Sequence, residues 1–270
     1  MPVESKAKNS SETKLKRGER SAFPALAEVL SVFFAFLLWI KYLETTWVGP
    51  LQFKLVGWDF FAHLMMVVFP VAALRLFGRP LSELGFSRDQ LRSPQIQRLC
   101  LVAVLELALI WAVGFLVPHL ARGQSPGLLL PPDHFASRIG ISPLFANWIG
   151  WGLTIVFTMI FCGVGEEVFF RGYIQGRINR AWGRPFRIRG VSFGWGLILA
   201  SFLFGLGHGV AFFNPFSRPL AFHFEGTSAL ITCGEGFIFG LLYEYSNGIV
   251  APAVVHAAIG LFFGSIAFSS

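Results

Sequence analysis

Apolar stretches of about 18 to 25 residues recur along almost the whole chain, each long enough as a helix to cross a hydrocarbon core of roughly 30 Å. They run from Phe23 to Ile40, Trp58 to Phe77, Leu99 to Val117, Phe145 to about Tyr173, Phe193 to Val210, Thr227 to Leu242 and Ile249 to Phe268. The pattern predicts an all-α fold, a polytopic transmembrane helical bundle of about seven spans, in one domain over 23–270. Residues 1–22 break the pattern: they are polar, lack aromatics and carry Lys6, Lys8, Lys14, Lys16, Arg17 and Arg20. Such a stretch reads as a disordered basic tail on the cytoplasmic side. The first apolar run continues into Lys41 and Tyr42 rather than into a small-residue cleavage site, so it is expected to be a retained span and not a signal peptide.

Composition agrees with lipid as the main solvent. Of 270 residues, 54% are apolar and 14% charged, with a mean hydropathy of +0.61, beyond ordinary soluble usage. The net charge of +7 suggests nucleic acid only until the basic residues are located. They lie in the tail, in the connection with Arg79, Arg88 and Arg92, and in the connection with Arg177, Arg180, Arg184, Arg187 and Arg189. The alternate connections hold fewer: Lys41 and Lys54, then Arg122 and Arg138, then Arg218. This alternation is topological: the basic connections face the cytoplasm and anionic headgroups. Membrane lipids and a membrane-associated protein or peptide are the expected partners, and nucleic acid is not. The N-terminus is expected inside, the C-terminus outside, and the chain in a bacterial cytoplasmic membrane.

Two longer Pro/Gly-rich connections, Pro118 to Pro143 and Phe213 to Gly226, read as solvated loops, with a gate or re-entrant segment as the alternative. Glycines inside the spans, among them Gly205, Gly207, Gly234, Gly236 and Gly240, suit close helix packing in lipid. Cys100, Cys162 and Cys233 each fall inside an apolar run, which argues against a disulfide framework and treats Cys162 as a small apolar residue.

A charge at mid-membrane costs about 2.5–3.5 kcal/mol on insertion scales, so ionisable residues inside the spans are functional candidates. They are Glu28, His63, Glu106, Glu166, Glu167, Arg171, His208, Glu235 and His256. Glu28 and Glu106 are expected to be packing polars satisfied across helices, and His63 a histidine bonded to a neighbouring carbonyl. Glu235 stays between the two classes. The richest segment is Gly163 to Ile178, GVGEEVFFRGYIQGRI. Glu167 and Arg171, four apart, share a helix face and should pair. Glu166 projects about 140° from Arg171 at 3.6 residues per turn, toward a different neighbour, and remains available as a base. His208, in SFLFGLGHG, is its expected partner, and His256 brings a second imidazole from the last span.

Depth can be compared at a rise of 1.5 Å per residue. Arg180 back to Glu166 and Gly194 on to His208 each give about 21 Å from the cytoplasmic side, and Asn247 to His256 about 14 Å. The three can meet within the membrane, provided that the fourth span stays helical past Arg171 to about Arg180.

With these residues in place the chain resembles the CAAX protease and bacteriocin-processing family, also called Abi, of glutamate-dependent intramembrane proteases. Glu166-Glu167-Val-Phe-Phe-Arg171 is similar to the family's EExxxR, and Phe204-Gly-Leu-Gly-His208 to its FxxxH. The run from Gly240 to His256 resembles its last conserved block, so the likeness covers roughly Phe145 to the C-terminus. It implies an intramembrane endopeptidase without a cofactor or metal, in which Glu166 and His208 activate a water and His256 helps to stabilise the oxyanion. Glu167 and Arg171 complete the implied catalytic set. The family's histidine is commonly followed one turn later by Asn or Asp, and Gly260 stands there in this chain. Its substrates include prenyl proteins, bacteriocins and C-terminal sorting signals, and no residue here selects among them. Two other functions suit the same polar cluster. One is a zinc metalloprotease ligated by Glu166, His208 and His256, although no HExxH occurs. The other is a non-catalytic immunity, transport or scaffold protein.

Overall fold

The computed structural model describes residues 23–51, 61–112 and 158–267. The basic tail, the connection from Pro118 to Pro143 and the first half of the fourth apolar run lie outside the described residues. The fold is mostly helical. Helix α1 runs over Phe23–Leu51, with π-helical turns over Trp39–Val48. Helix α2 covers Phe61–Leu76, α3 Arg88–Arg92 and α4 Pro94–Trp111. Helix α5 is continuous over 158–182. Then come α6 at Trp195–Gly209, α7 at Gly226–Ser246 and α8 at Val250–Ala267.

Two short antiparallel hairpins interrupt the all-α pattern. Strands β1 (Phe186–Ile188) and β2 (Val191–Phe193) pair between α5 and α6. Strands β3 (Val210–Asn214) and β4 (Ala221–Phe224) pair between α6 and α7. The second hairpin replaces much of the solvated loop expected from Phe213 to Gly226. Its alternating Phe and small or polar residues fit a pleated, half-exposed ribbon better than a coil.

Helix ends follow local chemistry. Ser93 accepts a hydrogen bond from the Ile96 N–H at the start of α4 (3.4 Å), with Pro94 in the first turn. Asn247, with φ at 55°, ends α7 in the left-handed conformation that Asn tolerates. Helices α1 and α7 are long and apolar enough to cross a membrane by length and composition. Helices α2 and α6 are shorter apolar helices, and so is the 250–260 part of α8. The reason is plain in α6: Gly194 holds its entry extended and Val210 turns directly into β3, leaving 15 residues, about 22 Å of helix against a core of roughly 30 Å. Among the described residues the structure thus supports a mostly helical chain with two candidate spans by length and composition, while parts of the third and fourth apolar runs lie outside the described residues.

The core sits where α1, α5 and α6 meet. Phe36 packs on Phe169 (4.7 Å between ring centroids), Phe169 on Phe170 (5.1 Å) and Phe170 edge-on to Phe204 (4.9 Å). Helix α8 packs on α4 and on the start of α5, while α6 packs on α7. Close approach of α6 and α7 follows from Gly205, which faces the Ala229 carbonyl and Cys233, and from Gly236, which faces Ser201 and Phe204. Cys100 and Cys233 are free thiols.

At one end, charged residues tie the elements together. Glu28 accepts from Arg79, from Tyr173 Oη (2.9 Å) and from Arg177 Nε (3.0 Å). Arg180 pairs with Glu83 (3.0 Å). Glu244 of α7 accepts from Gln175 (2.8 Å), Asn179 and Arg184 (2.6 Å). Glu28 is thus satisfied across helices as expected, whereas Glu106 is exposed on α4 among the described residues. The arginine-bearing connections after α2 and α5, placed on one side by the charge pattern, meet at this end.

Candidate active site

Helix α5 presents the two adjacent glutamates. It is helical through Trp182, the condition for Glu166 to lie deep, and most of it is π-helical, over Thr158–Gly165 and Val168–Gln175. Such wide turns are rare and gather at functional sites. They also alter the side-chain directions expected from 3.6 residues per turn. Close packing on both sides positions the glutamates. A Cβ at Gly163 would meet the Ala253 carbonyl and the Ala257 Cβ of α8, both at 2.8 Å. A Cβ at Gly165 would meet the His63 carbonyl of α2 at 3.0 Å.

Glu166 is buried, 5% exposed, and its two oxygens face different neighbours. Oε2 lies 3.7 Å from His256 Nε2 and 4.0 Å from His208 Nε2. Oε1 lies 3.5 Å from Nε2 of His63 on α2. Glu166 Oε2 accepts no hydrogen bond among the described residues. The helices α2, α5, α6 and α8 therefore converge on one carboxylate.

The two downstream imidazoles are held in the same tautomer. His208 Nδ1 lies 3.0 Å from the Phe204 carbonyl, and a carbonyl only accepts, so Nδ1 carries the proton and Nε2 faces Glu166 with its lone pair when the ring is neutral. His256 Nδ1 donates to Glu167 Oε1 at 2.9 Å, which also aims its Nε2 at Glu166. The His256 ring stacks on Phe239, 4.7 Å between centroids at 18°. His208 is the more accessible of the two, its side chain 37% exposed against 13% for His256.

Glu167 and Arg171 form the supporting layer. Both are fully buried, and Arg171 Nη1 lies 3.2 Å from Glu167 Oε1. Arg171 also donates to the Gly236 carbonyl (3.2 Å). Its guanidinium lies over Phe204 (4.7 Å) and Phe239 (5.2 Å), which adds cation–π attraction. The pairing expected from the four-residue spacing is present, with an addition: Glu167 is also the acceptor that orients His256.

Of the other polar residues within the apolar runs, Glu235 is partly buried on α7 and is not among the described groups facing Glu166. His63, expected to be a histidine bonded to a neighbouring carbonyl, faces Glu166 directly. Its α2 position carries no motif, and only the tertiary fold brings it near. Among the described residues no group of three or more His, Cys, Asp or Glu is arranged to hold a metal ion.

Glu166, Glu167, Arg171, His208 and His256, though not His63, fall inside residues 147–262, which match the model of the Rce1-like family, type II CAAX prenyl endopeptidases. The match bears out the resemblance seen in the EExxxR and FxxxH motifs, and the matched segment takes in α6 with His208, the β3–β4 hairpin, α7 and the part of α8 with His256. No curated protein and no solved structure matches the chain.

Proposed function

We propose that the chain is a glutamate-dependent, metal-independent intramembrane endopeptidase acting near the membrane-proximal or C-terminal part of a membrane-associated protein or peptide. The observation that carries this reading is a buried carboxylate oxygen, Glu166 Oε2, facing two imidazole nitrogens whose far sides are already anchored. The Rce1-like match supports a CAAX-type endopeptidase in general.

Peptide hydrolysis needs a base for water, a donor for the oxyanion and a proton for the leaving nitrogen. Glu166, assisted by His208 Nε2, takes a proton as the water oxygen bonds to the scissile carbonyl carbon. With Nδ1–H given to Glu167, an imidazolium His256 presents Nε2–H to the developing oxyanion. The C–N bond then breaks, and the proton taken from water passes to the leaving amine. Glu167 and Arg171 hold His256 and the backbone of α7 during these steps. Gly260 supplies no side chain one turn beyond His256, so His256 and His208 must furnish the polar contacts. The proposal includes a bundle of about seven spans with the Glu28–Arg79–Arg177 end cytoplasmic, in keeping with the arginine distribution.

The test is hydrolysis by the full chain reconstituted in lipid vesicles, offered a prenylated peptide ending in Cys-aliphatic-aliphatic-X and an unprenylated peptide with a C-terminal membrane anchor. Glu166→Gln and His208→Ala are each expected to lose at least about 100-fold in rate, with wild-type activity unchanged by a strong chelator. Loss of activity to the chelator, restored by zinc, would support the metalloprotease instead. Full activity in Glu166→Gln would overturn the mechanism.

A further inference from the structure

We propose that His63 is a positioning residue for Glu166, a role that rests on the endopeptidase reading above. The two oxygens of Glu166 are divided between opposite sides: Oε1 toward His63 Nε2 at 3.5 Å, Oε2 toward His208 and His256 at 4.0 and 3.7 Å. A glutamate has three side-chain torsions, and a buried one is held in a single rotamer only by what surrounds it. His63 lies opposite the two histidines of the motifs. A hydrogen donated from its Nε2 to Oε1 fixes the carboxylate plane and keeps Oε2 aimed between the other imidazoles.

The backbone supports the same conclusion independently. Gly165, immediately before Glu166, lets α2 approach so closely that a Cβ there would strike the carbonyl of His63 itself, with the Val67 side chain next at 3.9 Å. At Gly165, then, the part of α2 that is met is the backbone of the histidine itself. Pro70, inside α2 and buried, leaves a backbone carbonyl of the preceding turn without its helical donor, which favours a bend that tilts the first turn of the helix. His63 meets Oε1 while His208 and His256 meet Oε2, so its assigned role is on Glu166 and not on the substrate.

The experiment is steady-state kinetics of the full chain in vesicles with whichever of the two peptides is cleaved. His63→Ala is expected to lower kcat about 10- to 100-fold, the range for removing the partner that orients a catalytic group, with KM within about twofold. His63→Gln, which keeps a donor nitrogen at similar reach, is expected to recover most of the rate. In the Glu166→Gln background His63→Ala should cause no further loss. Val67→Ala, one turn along the same contact, serves as the packing control and should lower stability without changing kcat. Wild-type kcat in His63→Ala while Glu166→Gln is inactive would overturn this inference and leave the endopeptidase reading intact. Equal losses in the Ala and Gln variants, matched by Val67→Ala, would assign His63 to packing alone and also overturn it. Full activity in Glu166→Gln would overturn both.

Discussion

Replacing Arg171 by Met removes a guanidinium that is fully buried and leaves Glu167 as a buried carboxylate with His256 as its remaining partner. At the observed 3.2 Å, Coulomb's law with an effective dielectric of about 20 gives roughly 5 kcal/mol for the pair. Breaking one side of a buried pair costs about 3–5 kcal/mol by experience, while removing both sides costs much less. The informative measurement is therefore a double-mutant cycle of Arg171→Met, Glu167→Gln and their combination, read by reversible unfolding in mixed micelles. Each single change is expected to destabilise by about 3 kcal/mol or more, and the double variant by less than their sum, with a coupling of at least about 2 kcal/mol. Glu167→Gln keeps an acceptor for His256 Nδ1–H, so the cycle isolates the charge from the orienting bond. Additivity within about 0.5 kcal/mol would refute the claim that these two residues act as one unit. The same variants, assayed for hydrolysis at a temperature where they remain folded, should lose kcat, since Arg171 also holds the Gly236 carbonyl of α7.

Glu28→Ala should destabilise the bundle by about 3–5 kcal/mol, because Arg79, Arg177 and Tyr173 all lose an acceptor; the folded fraction should retain its kcat, as judged by active-site titration. Gly163→Ala inserts a methyl against the Ala253 carbonyl and Ala257 Cβ, and overpacking there should cost about 1–3 kcal/mol. Because the displaced helix carries His256, its loss of kcat should exceed that of an equally destabilising substitution at the Glu28 end.

Much of the helical arrangement is legible in hydropathy because long apolar runs favour helices, whose backbone groups pair within the segment. The Glu167–Arg171 pair is legible for a local reason: four residues of separation place the groups on one face whatever the rest of the chain does. The meeting of Glu166 with His208 and His256 depends on the motifs and on comparing depths along three helices, and it holds because α5 continues to Trp182. The limits are equally physical. His63 stands alone in an apolar helix, and its approach to Glu166 is set by the glycine at 165 and the packing of α2, a contact between residues about a hundred positions apart that no period reports. The π turns of α5 alter directions that a 3.6-residue period predicts, and no composition signal announces them. The β3–β4 hairpin is hidden in the sequence by Pro215 and Pro219, which suit a loop as well as the turn of a ribbon.

The distribution of polarity around the carboxylate explains why so many ionisable groups are tolerated in an apolar bundle. Each charged or imidazole group of the inner cluster is fastened on the side away from Glu166 Oε2: His208 to a helical carbonyl, His256 to Glu167, and Glu167 in turn to Arg171, which reaches a carbonyl of α7. Three helices, α5, α7 and α8, are thereby tied through side chains that would each be costly alone. A cluster built only for packing would satisfy its central carboxylate in the same way. Here Glu166 Oε2, the oxygen that faces both imidazoles, accepts no hydrogen bond among the described residues, and Glu167 Oε2 and Arg171 Nε and Nη1 are likewise without one, whereas His208, His256, Glu167 and Arg171 each keep at least one bond elsewhere. The Arg171 cycle and the Glu166→Gln variant measure the two halves separately: the first should cost stability and rate together, the second rate with little loss of fold.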